Sequence, residues 1–394
     1  MTGSRRILTL NAGSSSLKFA LYREADLALE LSGQVADLGG RPRFRAMAGP
    51  DVAADEPWPR DQAIAAVLEH VFRWLAHAGW AEGVVAVGHR IVHGGLEFRD
   101  PILLTPDVVR RLEGLSPLAP LHQPFNLQGV ELARQHFDNA LQVGVFDTAF
   151  HADQPDVARL YALPRDLIDE GVLAYGFHGL SYQYIAEQLR LEDGPAAGGR
   201  TIVLHLGSGV SLCAMIEGRS VATTMGFSAL DGPPMSTRCG ALDPGVILHL
   251  IQARGMTAEA VGQLLYHRSG LLGLSGETGD MVTLLASDRP HAHQALDVYV
   301  YRIAREIGSL AAAMGGLDTM VFTAGVGEHA GPIRERIAHL CGWLGVALDA
   351  DANRRDAHRI SAPKSRVKVL IIPTDEQVVI AQGVCRITGF GAPG

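Results

Sequence analysis

The chain has 394 residues, 47% of them apolar and 19% charged, with a formal net charge of -8 at pH 7. That balance supplies two buried cores and excludes a disordered chain, and the negative charge argues against a nucleic-acid partner. The four cysteines, Cys213, Cys239, Cys341 and Cys385, show neither CxxC nor a metal-ligand rhythm, so they read as reduced thiols of a cytosolic protein.

In chain order, two arginines precede only a short apolar run, which predicts no signal peptide. The stretch Ile7 to Tyr22 predicts a β-hairpin: Ile7, Leu8 and Leu10 stop at Asn11, a turn runs through Gly13, Ser14, Ser15 and Ser16, and alternation restarts at Leu17, Phe19 and Leu21. Its tip gathers an amide, a glycine, three hydroxyls and Lys18, groups that converge readily on an anion such as phosphate. The same residues also make an ordinary polar turn. Residues 39–59, rich in Gly, Pro, Arg and Asp, read as a surface excursion. From Asp61 to Ala78, Ile64, Val67, Leu68, Val71, Phe72 and Leu75 fall on one helical face.

A strand over 84–87 then meets GHRIVHGG, placing His89 and Arg90 at a Gly94-Gly95 turn, and a strand over 141–146 ends at Asp147. His89 and His93 do not share a helical face and read as structural histidines. A second hairpin spans Thr201 to Ala222, turning through Gly207, Ser208 and Gly209, about half a chain from the first. This repeat implies a duplicated domain. Asp243-Pro244 marks the start of a helix, with Asp as N-cap and Pro at the first helical position.

His291 and His293 read as solvated loop residues. A long amphipathic helix carries Leu296, Val300, Ile303, Ile307, Leu310 and Met314, and gives way to a strand over 320–323. The stretch 307–327 holds a single charge, Asp318, but Gly315-Gly316 divides it into helix end and strand, so no membrane span is predicted. The loop AGVGEHAGP follows, a helix begins near Pro332, and a strand over 367–372 delivers PTDEQ and a last helix from Glu376. Strands with charged far ends, alternating with helices, predict an α/β sheet that binds ligands at strand carboxyl ends.

At those ends and turns stand Asn11, Ser14, Ser16, Lys18, Arg90, His122, Asp147, His178, Arg238 and Glu376. Phosphoryl transfer asks for such a set, because Mg²⁺ takes oxygen ligands and cations must balance charge on the transferred group. An arginine fork also suits a planar carboxylate, so an organic acid is a fitting acceptor. Singly, an Arg or Asp at a strand end is more often a surface ion pair.

The segments LNAGSSSLKF, GHRIVHGG, LAPLHQPFN, VFDTAFH, YGFHGLS, HLGSG, GRSVATTMGFSALDGPPMSTRCGALDPG, SGLLGLSG, FTAGVGEH and IPTDE follow one another as in acetate kinase, which the chain resembles over nearly its whole length. The resemblance implies an α/β fold of two duplicated actin-like (ribonuclease H-like) domains around a nucleotide-binding cleft. Their bounds would be 1–148 with about 378–394, carrying the acyl site, and 149–377, carrying the adenosine site. It implies reversible in-line transfer from ATP to acetate, giving acetyl phosphate and ADP with Mg²⁺ or Mn²⁺, in a cytoplasmic homodimer that binds neither nucleic acid nor membrane.

By position, Asp147, Arg90, Arg238 and His178 would be catalytic, and Asp147, Glu376 and Asn11 would serve the metal. Arg90, Val92, Leu121, His122 and Phe177 would bind the acyl substrate. Asn11, Ser14, Ser16, Lys18, His205, Gly207, Ser208, Gly209, Asp280, Met281, Val282, Gly325 and Gly327 would bind nucleotide.

The chain departs from the family pattern at Ser208 (usually Asn), Val282 (usually Arg), His329 (usually Asn), Ala229 (often Pro), and Pro233 and Ser236 (commonly Leu and Gly). Three of these lie on the nucleotide side and leave pyrophosphate open as donor. Ala229 removes bulk and leaves propionate or butyrate open as acceptor. A nucleotide-binding switch without turnover is the reading from another class.

Overall fold

A computed structural model describes residues 5–13, 16–36, 38, 42–59, 63–120 and 122–391. Ser14 and Leu121 lie outside the described residues. The chain divides into two compact units, Met1–Ala149 with Asp375–Gly394, and Phe150–Thr374.

The first unit is built on a mixed sheet of β1 (Arg6–Ala12), β2 (Leu17–Arg23), β3 (Leu29–Ala36), β4 (Arg43–Ala48), β5 (Asp51–Pro57), β6 (Val84–Ile91), β7 (Ile102–Leu103) and β8 (Leu141–Phe146), in the order β5-β4-β3-β2-β1-β6-β8-β7. β1 and β2 form the expected antiparallel hairpin, whereas β1, β6 and β8 run parallel. Alternation decides which way each side chain faces. Leu8 and Leu10 pack with Phe19, Phe44 and the helix Ile64–His77, while Ile7 meets Ala86, Val143 and the C-terminal helix Glu376–Thr388. Helices therefore cover both faces, as parallel strands require.

The second unit has β9 (Arg200–Leu206), β10 (Val210–Ile216), β11 (Arg219–Thr223), β12 (Thr319–Thr323) and β13 (Lys368–Ile371), in the order β11-β10-β9-β12-β13. β9 and β10 are an antiparallel hairpin, and β9, β12 and β13 are parallel. This repeats the run β3-β2-β1-β6-β8 strand for strand, so the duplication inferred from two hairpins extends through the sheet. One face of β9 and β10 packs Val203, Cys213 and Met215 against Tyr182, Ile185 and Leu189 of the helix Gly179–Asp193. The long helix Pro290–Met314 lies across β9, β10 and β11 and buries Leu296, Val300, Ile303, Ile307 and Met314. Among the described residues no helix is long and apolar enough to cross a membrane.

Four local expectations change. The segment 39–59 contains β4 and β5: β5 is an exposed edge, but β4 sends Phe44 and Ala46 into the core, where Phe44 stacks on Phe19. Its polar residues are the outward half of an alternating pattern. β6 runs on to Ile91, so His89 and Arg90 are strand residues with opposite facings rather than part of the turn. His291 and His293 are exposed as expected but helical, because Pro290 is preset for the first helical position. The AGVGEH segment is a short helix, Ala324–His329.

His89 and His93 are both buried. His89 Nε2–H donates to Gln142 Oε1 at 2.8 Å, and His93 Nδ1 accepts from the Gly95 N–H at 2.9 Å. Burial lowers the pKa of each to about 4. Below the ordinary value near 6.5 the unfolded chain takes up protons that the folded chain refuses, so this stability is present at neutral pH and lost as pH falls from about 6.5 to about 4. Between pH 7 and pH 5 the loss is about 2 kcal/mol per histidine. In urea unfolding followed by tryptophan fluorescence, His89→Gln should shrink the pH 7 to pH 5 difference by about that amount. An unchanged difference would show that His89 is not held neutral.

Candidate active site

In the first unit three parallel strands end side by side, and each delivers a polar side chain. Asn11 closes β1, Arg90 is the penultimate residue of β6, and Asp147 follows β8, its N–H donating to Ile91 O at 2.9 Å. Arg90 Nη2 donates to Asp147 Oδ2 at 2.7 Å, with side chains 12% and 0% exposed. Arg90 Nε is also buried, with no hydrogen-bond partner among the described residues. Burial works against the guanidinium charge, but Asp147 and then Glu376 outweigh it and raise the Arg90 pKa.

Glu376 opens the C-terminal helix, whose N-cap Asp375 accepts from the N–H groups of Gln377 and Val378. Asn11 Nδ2 donates to Glu376 Oε2 at 2.5 Å. The first unit thus gathers Asn11, Arg90, Asp147 and Glu376 into one cluster.

Beside it, Val92 is buried and its N–H donates to Asn126 Oδ1 at 2.9 Å, while Asn126 Nδ2 donates to Ala12 O at 3.2 Å. Asn126 therefore ties the end of β6 to the end of β1. Gln123 does the same for the next turn, donating to His93 O and Leu112 O. His122 occupies the N-cap position of the helix Gln123–His136. Lys18 is exposed and lies across from Asn11 in the hairpin register, and Ser16 O accepts from the Gly13 N–H at 2.9 Å.

In the second unit His178 adopts a left-handed conformation, φ 58° and ψ 27°, just before the helix Gly179–Asp193. Behind it is a buried polar chain. Gln154 Nε2 donates to Ser220 Oγ at 2.7 Å, Ser220 contacts His151 Nδ1 at 2.8 Å, and His151 Nε2 lies 3.0 Å from Phe177 O. A carbonyl only accepts, so His151 carries its proton on Nε2 and Ser220 donates to Nδ1. The chain pins the Phe177-His178 turn, and Phe177 itself is buried.

The His178 ring stacks on His205, centroids 4.1 Å apart and planes 18° apart. Its Nε2 faces Gly209: a Cβ there would sit 3.2 Å from Nε2 and 3.8 Å from Arg238 Nη1, so glycine permits the imidazole and guanidinium to approach the hairpin turn. Arg238 Nη1 donates to Ala229 O at 3.0 Å. His178, His205, Gly209 and Arg238 therefore form a second cluster.

The remaining residues that the sequence reading assigns to nucleotide are more scattered. The Gly207 N–H donates to Gly209 O at 3.0 Å, and the exposed Ser208 uses its carbonyl to accept from the Ser236 N–H. Asp280 caps the helix Met281–Leu285 by accepting from the Thr283 N–H, Met281 is buried, and Val282 is 75% exposed. Gly325 and Gly327 lie in the helix Ala324–His329, whose end is held by the fully buried Arg334 donating to Gly327 O and Glu328 O. The supports Asn126, Gln123, His151 and Ser220, and Ser211, whose Oγ lies 2.8 Å from His178 Nδ1, are not marked out in the sequence. Their one signal was a polar residue set in or beside an apolar run, as with Ser211 at the head of SLCAMI.

A family model described as the Acetokinase family matches residues 6–382. The chain is 50% identical over 398 aligned residues to an acetate kinase of Rhodopseudomonas palustris (strain TIE-1), covering 98% of this chain and 99% of that protein. Among solved structures it is similar to a propionate kinase of Francisella tularensis subsp. tularensis SCHU S4, with 32% identity, 96% and 98% coverage and a TM-score of 0.88. It is also similar to the Porphyromonas gingivalis acetate kinase, with 34% identity, 98% and 100% coverage and a TM-score of 0.85.

The segment before Arg238 rests on the start of the helix Gly270–Ser275. The N–H groups of Ser269, Leu271 and Leu272 donate to the carbonyls of Thr237, Met235 and Ser236, each at 2.9 Å. Gly270 has φ +59°, and a Cβ there would lie 2.2 Å from Met235 O and 2.6 Å from Arg238 O. Gly276 has a similar φ, +65°, in open space. Gly276→Ala should cost about 1 to 2 kcal/mol for the left-handed backbone alone, and Gly270→Ala clearly more, measured as the two shifts in Tm. Equal shifts would mean that the Arg238 segment yields freely.

Proposed function

Since the chain belongs to the acetokinase family and is a phosphotransferase with a carboxyl acceptor, we propose that it catalyses acetate + ATP ⇌ acetyl phosphate + ADP. A carboxylate oxygen of acetate attacks the γ-phosphorus in line, and the bond to the bridging oxygen of ADP breaks. The observation that carries the reading is the Arg90-Asp147-Glu376-Asn11 cluster at adjoining strand ends. Arg90 holds the acceptor carboxylate, its orientation fixed by Asp147. Arg238 and His178 donate to the oxygens of the phosphoryl group as it transfers.

The first unit also fits a magnesium or manganese ion. Asp147, Glu376 and Asn11 offer hard oxygen donors, and Asn11 Nδ2 is committed to Glu376, so its Oδ1 is the atom suited to a cation. Among the described residues no group of three His, Cys, Asp or Glu could hold a metal by itself. When bound, the ion neutralises charge on the phosphate oxygens and orients them.

A second reading, a longer acyl acceptor, is favoured by Ala229 and by the similarity to a propionate kinase. We also propose that it works as a cytoplasmic homodimer, as the resemblance implies.

Acyl phosphate trapped as its hydroxamate, with acetate, propionate and butyrate each offered ATP, GTP and pyrophosphate, tests the proposal. Acetate with ATP should be fastest. Higher kcat/KM for propionate or butyrate would favour the second reading, and turnover with pyrophosphate alone would overturn ATP as donor. Arg90→Ala, Arg238→Ala and Asp147→Asn should each lower kcat/KM by at least about 10²-fold. Near-normal turnover in any one removes that residue from the assignment.

A further inference from the structure

The first turn of the helix Gly179–Asp193 sends two hydroxyls toward the two stacked imidazoles. Ser181 Oγ lies 2.9 Å from His205 Nδ1, and Tyr182 Oη lies 2.5 Å from Ser211 Oγ, which in turn lies 2.8 Å from His178 Nδ1. Tyr182 is four residues beyond His178, one helical turn along the same face, and its N–H donates to His178 O at 3.1 Å. Ser211 stands directly across the β9-β10 hairpin from His205. Tyr182 and Ser211 are both 0% exposed, so the alignment of their hydroxyls is fixed by packing.

We propose that Ser211 and Tyr182 are positioning residues for phosphoryl transfer: Tyr182 Oη–H donates to Ser211 Oγ, Ser211 Oγ–H donates to His178 Nδ1, and the neutral ring carries its proton on Nε2. The phenol is the more acidic of the two hydroxyls and takes the donor role toward the alcohol. With Nδ1 occupied as an acceptor, the ring proton can reside only on Nε2. That is the nitrogen facing Gly209 and the neighbourhood of Arg238. In the reverse arrangement a lone pair would face the phosphoryl oxygens and repel them. This inference rests on His178 acting as a donor in the proposed reaction, and it explains how a neutral imidazole is committed to that role before substrate arrives.

The test combines ¹⁵N-histidine NMR of the full chain, with His178 assigned by His178→Gln, and a double-mutant cycle on phosphoryl transfer. The Nε2–H tautomer should dominate in the wild type, and Ser211→Ala should shift the population toward Nδ1–H. Ser211→Ala should lower kcat at least about 10-fold, less than the about 10² to 10³-fold typical of losing a donor outright, with KM values nearly unchanged. Tyr182→Phe keeps the ring packing and should lower kcat by a smaller factor, and Ser211→Thr, which keeps the hydroxyl, should restore activity. In a His178→Ala background, Ser211→Ala should cost nothing further.

A dominant Nδ1–H tautomer in the wild type, or a full Ser211→Ala loss persisting without His178, overturns the proposal. A wild-type chain inactive with every donor and acceptor would overturn the acetate kinase reading instead, and the tautomer would still decide the positioning.

Discussion

The first unit depends on keeping a guanidinium and a carboxylate charged where water hardly reaches. Arg90 and Asp147 sit at the ends of neighbouring parallel strands, and the Asp147 side chain is fully buried. Removing two such ions from water costs several kcal/mol each, and their attraction offsets this only when geometry and further hydrogen bonds are good. The surroundings supply those conditions. β6 and β8 are in register beside them, Asn126 ties β6 to β1, and Glu376 adds a second negative charge. The pair adds little net stability, but it fixes the position of the Arg90 guanidinium.

The second unit is built around different groups. Its sheet repeats the topology of the first, but its hairpin turn is shorter and glycine-rich, and the groups described around it are two imidazoles and buried hydroxyls beside the Arg238 guanidinium. His178 accepts an unfavourable backbone conformation that His151 and its partners maintain from behind. Backbone strain of this kind costs on the order of 1 to 3 kcal/mol and persists only where neighbours over-determine it. The two sheets share their strand order, while the polar groups at their strand ends and turns differ.

Much of this was legible in the sequence because the relevant signals are local. The β1-β2 hairpin, the Asp243 cap and the helix beginning at Glu376 each announce themselves within a few residues. Arg90, Asp147 and Glu376 could be singled out because charges at the ends of apolar strands are conspicuous. What was hidden depends on contacts distant in sequence. Asn126 lies 114 residues from Ala12, and Gln154 lies 66 from Ser220. Nothing in a serine marks it as buried beside an imidazole. β4 was obscured for another reason: an edge hairpin alternates polar and apolar residues, and its composition alone resembles a loop.

Position 229 shows why such a site tolerates change. The chain carries alanine there, where the resemblance in sequence implies proline, yet the contact to Arg238 is made by the carbonyl. A backbone acceptor is supplied by any residue, so the guanidinium keeps its support whatever the side chain. Proline would fix φ and remove a donor; alanine releases the first and restores the second while leaving the acceptor in place. The anchoring of Arg238 and the bulk presented at this position are therefore separable. Side-chain volume can vary here while the Arg238 guanidinium keeps its backbone acceptor.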